Sequence, residues 1–122
     1  MLDRQIGHYR LLAKLGAGGM GEVYRAEDCL LHRPIALKVL SPEHARQPRS
    51  LQRFQREARS VAALNHPNIV TIYSVEENEG LHFLSMELVE GETLTELIPP
   101  DGMSLRRLLD IAMSLAEALQ AA

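Results

Sequence analysis

Apolar and polar residues alternate over short stretches in the first three quarters of the chain, which is typical of strands with one covered face. Five stretches fit this pattern: 9–17, 22–30, 34–40, 69–75 and 81–89. The third differs from the others, because Ile35, Ala36, Leu37, Val39 and Leu40 leave only one cation inside an apolar run. Such a run indicates a strand covered on both faces. Glycines between the first two strands and the acidic segment 76–80 between the last two predict hairpin turns.

Two longer stretches have helical periodicity. In 49–64 the apolar residues recur at spacings of three and four, and His66-Pro67-Asn68 ends the pattern. Shorter helical turns are expected at 41–43 and 93–98, and 99–102 reads as a linker. The last helix has one continuous apolar stripe, made of Leu105, Leu108, Leu109, Ala112, Leu115, Ala116 and Leu119.

These elements predict an α+β fold with a five-stranded antiparallel sheet and one long packed helix, followed by the start of a helical unit. We expect residues 1–8 to be an extension, 9–90 the sheet-and-helix domain, and 91–122 an exit segment and a truncated helical portion. Because no later residues cover the stripe on the last helix, we expect that helix to meet the rest of a larger domain, or to support self-association.

Composition narrows the function classes. The 122 residues are 46% hydrophobic and 24% charged, which is typical of a globular protein. A net charge of −3 argues against a nucleic-acid partner. The lone Cys29 excludes an intrachain disulfide, and the first four residues do not resemble a leader. No apolar run is long enough for a membrane span, so we expect a cytoplasmic location. The five histidines lack ligand spacing, so we expect no metal site.

The glycine segment 16–21, followed by Val23, has the spacing G-x-G-x-x-G-x-V. Glycines let backbone amides approach a polyphosphate and tolerate positive φ. A dinucleotide-binding motif would need a helix directly after the glycines, whereas a strand is predicted there. A Walker A loop would end in G-K-[ST], which is absent. An ordinary glycine-rich hairpin remains an alternative.

Two charged residues extend this pattern. Lys38 is either a phosphate-binding cation or a side chain whose amine reaches solvent from an edge strand. Glu57 lies at the flank of the apolar stripe of the 49–64 helix, where it could hold Lys38 in place. Its alternative is a surface ion pair with Arg53, four residues earlier.

Taken in order, the glycine loop, Ala36-x-Lys38, Phe54-x-x-Glu57, His66-Pro67-Asn68-Ile69-Val70 and Met86-Glu87-Leu88-Val89-Glu90-Gly91 resemble the small lobe of the eukaryotic-like protein kinases, most closely the bacterial serine/threonine branch. The resemblance covers about residues 9–122. It implies ATP as the bound nucleotide and a protein-kinase-like small lobe as the fold.

The resemblance also implies a role for each matching residue. Lys38 would contact the α- and β-phosphates, and Glu57 would orient Lys38. Backbone at Glu87 and Val89 would contact the adenine edge, and Thr93 the ribose. Backbone amides over the phosphates would come from Gly16, Ala17, Gly18, Gly19, Met20 and Gly21. The apolar surroundings of adenine would be Leu15, Val23 and Ala36, with Met86 at the back of the pocket.

The catalytic parts of that family are missing from these residues. Neither an H-R-D-x-x-x-x-N loop nor D-F-G occurs, so the ligands for Mg²⁺ and the residue that orients the attacking hydroxyl are absent. We therefore expect ATP, Mg²⁺ and protein substrates to act together only in an intact kinase, and this chain alone to be inactive. The alternatives are a non-catalytic kinase-like binding or scaffold module and a sheet-and-helix domain without nucleotide function.

Overall fold

The computed structural model describes residues 4–122, and residues 1–3 of the predicted extension lie outside it. One antiparallel sheet of six strands, in the order β1-β2-β3-β4-β6-β5, carries the helices. The strands are β1 Gln5–Ile6, β2 Tyr9–Ala17, β3 Gly21–Asp28, β4 Arg33–Leu40, β5 Ile72–Asn78 and β6 Leu81–Met86. The helices are α1 Pro42–Ala45, α2 Pro48–Ala62, α3 Leu94–Leu97 and α4 Leu105–Ala121.

The predicted count of five strands was wrong by one, because β1 is a two-residue strand within the expected extension. It folds back on β2 through Gly7, whose φ of 57° belongs to the left-handed region. Two residues are too few to show an alternating pattern. The α+β fold with an antiparallel sheet and one long packed helix is otherwise confirmed.

The boundaries of the last two strands also differ from the prediction. β5 begins at Ile72 and continues through the acidic residues to Asn78, so the hairpin turn is only Glu79-Gly80. Both turn residues have positive φ, 50° and 81°. Such values suit a two-residue hairpin loop, in which the backbone must turn within two residues. The acidic side chains at 76 and 77 therefore belong to a strand and not to a turn.

The strand β4 separates two cores, as its apolar run predicts. One face forms a core with β1, β2, β3 and β6, which includes Leu11, Tyr24, Leu37 and Phe83. On the other face the helix α2 packs against the sheet through a second cluster, consisting of Leu40, Phe54, Ala58 and Leu84. Because alternate residues of a strand point to opposite faces, Ala36 and Lys38 lie on the α2 side.

The helix α4 has few contacts with the sheet. Its Ala118 is buried, and the backbone carbonyl of Ser114 accepts a hydrogen bond from Asn68 Nδ2 at 2.9 Å. Exposed apolar residues on α4 are Leu105, Leu108, Leu109, Met113, Leu115 and Leu119. Within residues 4–122, no helix has both the length and the apolar character that a bilayer span requires.

Candidate functional site

The glycine segment is the connection between β2 and β3. Residues Gly16 and Ala17 still pair with Val23 and Glu22, and the tip closes with a 2.9 Å hydrogen bond from Gly18 N–H to the Gly21 carbonyl. The loop is thus a hairpin, as predicted, and no helix follows it. This geometry leaves the backbone between Gly18 and Gly21 as a narrow turn at the end of the sheet.

Glycine occupies the four positions of this loop for different structural reasons. A Cβ atom at Gly21 would clash with the carbonyl oxygen of Val39, so packing against β4 requires a glycine there. At Gly16, Gly18 and Gly19 a Cβ atom would meet nothing within 4 Å. None of the four has a φ in the left-handed region, so this loop does not use the tolerance of glycine for positive φ. Neither packing nor backbone conformation explains the three outer glycines, which leave space for an external group.

The side chain of Met20 faces the protein. It is half-buried and packs against the cluster of Leu40 and Phe54, and its carbonyl accepts a 2.9 Å hydrogen bond from Ser41 N–H. Any contribution of Met20 to a bound ligand would therefore come from its backbone amide. The same contacts attach the loop to the start of α1.

Lys38 and Glu57 line one small cavity between β4 and α2. Its volume is about 150 Å³, and the remaining lining is apolar, including Ala58, Leu84 and Met86. Lys38 is half-buried and lies opposite Val23 on β3 and Leu84 on β6. Lys38 and Glu57 are thus the two charged side chains among the residues that line this cavity.

The carboxylate of Glu57 is paired with Arg53. The Nε atom of Arg53 donates to Glu57 Oε1 at 3.2 Å, and the side chain of Glu57 is 59% exposed. Across the described residues no ion pair within 4.0 Å joins Lys38 to Glu57. The structure thus brings the two residues to one cavity, while the hydrogen bond that forms is the one with Arg53 that the sequence left as an alternative.

The segment after β6 contains Glu87 and Val89, whose backbone the resemblance expects to contact adenine. Glu87 N–H donates to the Thr71 carbonyl at 2.8 Å, and the Glu87 carboxylate accepts from Thr71 N–H at 3.2 Å. The amide N–H of Glu87 is thus already bonded within the protein. Val89 is 63% exposed. Met86 pairs with both Ala36 and Ile72, at the rear of the cavity that holds Lys38.

Thr93 is the N-cap of α3. Its Oγ1 accepts from Glu96 N–H at 3.2 Å, and its own N–H donates to Glu96 Oε1 at 3.4 Å. Together these contacts form a reciprocal capping box. The Thr93-x-x-Glu96 spacing could have shown this structural role from the sequence alone.

The apolar candidates differ in exposure. Leu15, at the irregular register between Lys14 and Gly16, is 53% exposed, whereas Val23 is half-buried and Ala36 is buried. Ala36 and Lys38 are two residues apart and therefore share a face of β4. An aromatic ring packed against Ala36 would therefore have Lys38 as the next residue on the same face of β4.

A second cavity beside the loop was not predicted from the sequence. It measures about 530 Å³, and Gly18 and Gly19 line it together with Ser41, His44 and Arg46. The side chain of His44 contacts Ser41 Oγ at 2.7 Å through Nδ1. These residues belong to the short α1 segment, whose four-residue length left no periodic signal.

Two hydrogen bonds to Glu22 connect side chains of β2 and β3 next to the glycine loop. Tyr24 Oη donates to Glu22 Oε2, and Lys14 Nζ donates to Glu22 Oε1 at 3.2 Å. The hydrogen bond from Tyr24, followed by that from Lys14, lowers the pKa of Glu22. The bond to Glu22 and, to a lesser extent, burial raise the pKa of Tyr24 to about 12. The strands that hold the glycine loop are thus tied by charge-assisted hydrogen bonds.

In the part of the chain that the structure describes, no three His, Cys, Asp or Glu residues come together as a metal site would require.

Comparisons with known proteins agree with this geometry. The sequence profile of the family described as Protein kinase domain matches residues 9–121. "Serine/threonine-protein kinase PrkC" of Bacillus subtilis is 45% identical over 96 residues, which are 79% of this chain and 15% of that protein. "Serine/threonine-protein kinase PknB" of Mycolicibacterium smegmatis is 44% identical over 116 residues, 91% of this chain and 19% of that protein.

A solved structure has the same fold. The crystal structure of the Mycobacterium tuberculosis PknI kinase domain superposes with a TM-score of 0.80 at 31% identity, and covers 98% of this chain and 49% of that one. The 122 residues thus span about half of a solved kinase domain and under a fifth of the curated relatives. The chain belongs to the protein kinase domain family, in which it corresponds to the N-terminal region of a bacterial-type serine/threonine kinase.

Proposed function

We propose that this chain is the ATP-binding portion of a serine/threonine protein kinase, which in its intact form transfers the γ-phosphoryl group of ATP to Ser or Thr of a protein. The proposal is carried by the open space beside Gly16 and Gly18 together with the position of Lys38. Lys38 lies on the α2 side of the sheet and lines one cavity with Glu57. Family membership supplies the nucleotide and the reaction class.

The phosphates of ATP would lie under the glycine loop. Glycines without steric partners at 16, 18 and 19 let the loop backbone approach phosphate oxygens, which amide N–H groups bind well. The half-buried amine of Lys38 would contact the α- and β-phosphates. Binding there would neutralise part of the phosphate charge and fix the direction of the chain of phosphates.

Adenine would lie between Leu15 and Val23 on one side and the small, buried Ala36 on the other. Because the Glu87 N–H is bonded to Thr71, the Glu87 carbonyl would make the contact and accept from the exocyclic amine, and Val89 N–H would donate to a ring nitrogen. Met86 would limit the depth of the pocket. The backbone N–H and the hydroxyl of Thr93 are both already hydrogen-bonded to Glu96. Thr93 would therefore have to contact the ribose while keeping this capping box.

Phosphoryl transfer needs more residues than this chain contains. Residues 4–122 bring no three His, Cys, Asp or Glu side chains together, and no H-R-D or D-F-G sequence is present. We therefore infer that residues 1–122 alone bind nucleotide weakly and transfer no phosphoryl group. The chain's contribution in an intact kinase would be to bind and orient ATP.

A phosphotransfer assay tests this proposal. With γ-labelled ATP, Mg²⁺ and a Ser/Thr-rich protein substrate, the intact protein should label the substrate, Lys38→Ala should abolish labelling, and residues 1–122 alone should give none. Labelling by residues 1–122 that disappears in Lys38→Ala would contradict the inferred inactivity. An intact protein that binds nucleotide but never labels substrate would instead support a non-catalytic kinase-like module.

A further inference from the structure

The outer face of α2 carries a cluster of arginines. Arg49, Arg53 and Arg56 follow one another at spacings of four and three, which places them on one side of the helix. With Gln52 and Glu57 they line a surface depression of about 400 Å³. We call this surface the arginine face, and it lies on the opposite side of α2 from the buried Phe54 and Ala58.

The charge of this helix is opposite to that of the chain. α2 contains four arginines and one acid, Glu57, whereas the 122 residues together carry −3. Its first turn has no acidic residue, although acids there would stabilise a helix and cations do not. In residues 4–122 the only ion pair that α2 makes is the one between Arg53 and Glu57. The last-turn position of Arg59 and the pairing of Arg53 with Glu57 suit the helix. Within that part of the chain, Arg49 in the first turn and Arg56 in the middle have no such partner. An external anion would give Arg49 and Arg56 one.

Phosphate is the anion that this face fits. Guanidinium groups bind phosphate oxygens through paired N–H donors, and two or three arginines around one depression can surround a single dianion. All five side chains that line the depression are polar or charged, whereas a membrane-binding face also inserts apolar side chains. A volume of about 400 Å³ accommodates one phosphorylated side chain.

We propose that the arginine face binds a phosphoserine or phosphothreonine of a protein substrate that has already been phosphorylated. The proposal rests on the proposed function, since a serine/threonine kinase generates that group in its own substrates. The arginine face would then recognise a product of the reaction at a position separate from the ATP site.

Binding at this face would act on Lys38 through Glu57. Glu57 lines both the depression and the cavity that holds Lys38, and its carboxylate is at present bonded to Arg53. A phosphate dianion attracts the Arg53 guanidinium more strongly than a single carboxylate does. Loss of Arg53 would leave Glu57 free to turn toward Lys38. A phosphorylated substrate would in this way favour the pairing that orients Lys38 for ATP.

A peptide titration tests the binding. The probe is a fluorescein-labelled peptide with one phosphothreonine among Gly, Ala and Ser, followed by fluorescence anisotropy without nucleotide. We expect saturable binding that is lost with the unphosphorylated peptide and weakens at least about tenfold in Arg56→Gln, as the loss of a charge-assisted hydrogen bond predicts. The matched control Arg106→Gln removes an exposed helical arginine on α4 and should bind as the wild type does.

The outcomes separate this proposal from its competitors. Lys38→Ala should still bind the phosphopeptide, so failure of ATP binding and failure of phosphopeptide binding are distinguishable. Equal affinity for both peptides would overturn the proposal. So would binding to vesicles containing phosphatidylserine that Arg56→Gln abolishes while the phosphopeptide stays unbound, because that result assigns the face to a membrane surface.

The coupling between the arginine face and Lys38 is tested separately, by measuring the affinity of the protein for a fluorescent ATP analogue. The phosphopeptide should raise that affinity in the wild-type protein. Arg53→Gln should raise it without peptide, because Glu57 then has no partner on the arginine face. An analogue affinity that changes in neither case would overturn the coupling between the arginine face and Lys38.

Discussion

At the scale of single residues, the glycines of the loop between β2 and β3 divide into two kinds. Gly21 is needed by the fold, because the Val39 carbonyl occupies the place of its Cβ atom. Gly18 and Gly19 have open space at that place and an ordinary backbone conformation. The sequence motif alone does not distinguish these kinds, since it contains no information on which backbone lies next to which glycine.

Alanine at two of these positions should therefore have different effects on stability and on binding. Gly21→Ala should lower the free energy of unfolding by about 1–3 kcal/mol, as steric overpacking does. Gly18→Ala should leave it within about 0.5 kcal/mol and instead weaken nucleotide binding. Urea denaturation of both variants, together with an ATP titration of Gly18→Ala, measures the difference. Equal destabilisation by the two substitutions would contradict the structural role given to Gly21.

The raised pKa of Tyr24 predicts that the folded protein loses stability at alkaline pH. The bond to Glu22 raises its folded-state pKa from 10.0 to about 12, so the folded protein holds this proton more tightly than the unfolded chain does. The stabilisation is complete below pH 10 and is lost as the pH rises toward about 12. The burial of Tyr9 raises its pKa as well, and that contribution is common to wild type and variant.

Chemical denaturation at a series of pH values measures the effect. The free energy of unfolding should fall more steeply between pH 10 and 12 in the wild type than in Tyr24→Phe, which lacks the titrating hydroxyl. Identical slopes for the two proteins would show that the hydrogen bond between Tyr24 and Glu22 does not stabilise the folded state.

At the scale of elements, α2 is held to the sheet by few side chains. Phe54 is 4% exposed and packs with Ala58, Leu40 and Leu84. Phe54→Ala should lower the free energy of unfolding by about 3–4 kcal/mol, as other large-to-small core substitutions do. The control Gln52→Ala changes an exposed residue two positions away and should cost under about 0.5 kcal/mol. Similar losses in the two variants would contradict this anchoring.

The elements show which features the sequence could predict. A loose alternation was enough to place β2 at its observed bounds, and helical periodicity placed α2 within two residues at each end. The beginning of β5 was predicted three residues too early, because Ile69-Val70 is apolar but belongs to the turn after His66. Glu57 shows a different limit. A helical wheel places it at the edge of the buried stripe. The rotamer of Glu57 decides whether its carboxylate bonds to Lys38 or to Arg53, and that rotamer depends on neighbouring side chains that the wheel does not include.

At the scale of the whole molecule, α4 presents its apolar stripe to solvent. The stripe includes Leu108 and Leu115, seven residues apart and both exposed. An apolar surface of this kind favours association with another surface. We expect residues 1–122 to form dimers or larger assemblies as their concentration rises.

Light scattering coupled to size-exclusion chromatography measures this association. The double substitution Leu108→Glu/Leu115→Glu should return the chain to a monomer, because two charges on the stripe would have to be desolvated in a contact. The control Arg106→Gln lies off the stripe and should associate as the wild type does. A wild-type chain that stays monomeric at every concentration would contradict the role given to α4.

The site as a whole combines two parts from different elements. The hairpin between β2 and β3 supplies open backbone, and the pairing of β4 with β3 places Lys38 opposite Val23, in a cavity that Glu57 also lines. Sequence order predicted this combination, because the motif residues are those of a known family. The pairing of Glu57 with Arg53 and the cavity beside α1 needed the three-dimensional arrangement of side chains.

An NMR titration with ATP tests the central claim most directly, since it reports binding residue by residue in the chain itself. We predict weak, saturable changes in the backbone amide signals of Gly16, Gly18 and Gly19, and a clear loss of affinity in Lys38→Met. Arg106→Gln should titrate as the wild type does. Unchanged glycine-loop signals at saturating ATP, or an affinity that Lys38→Met leaves intact, would contradict the assignment of this loop and Lys38 as the phosphate-binding site.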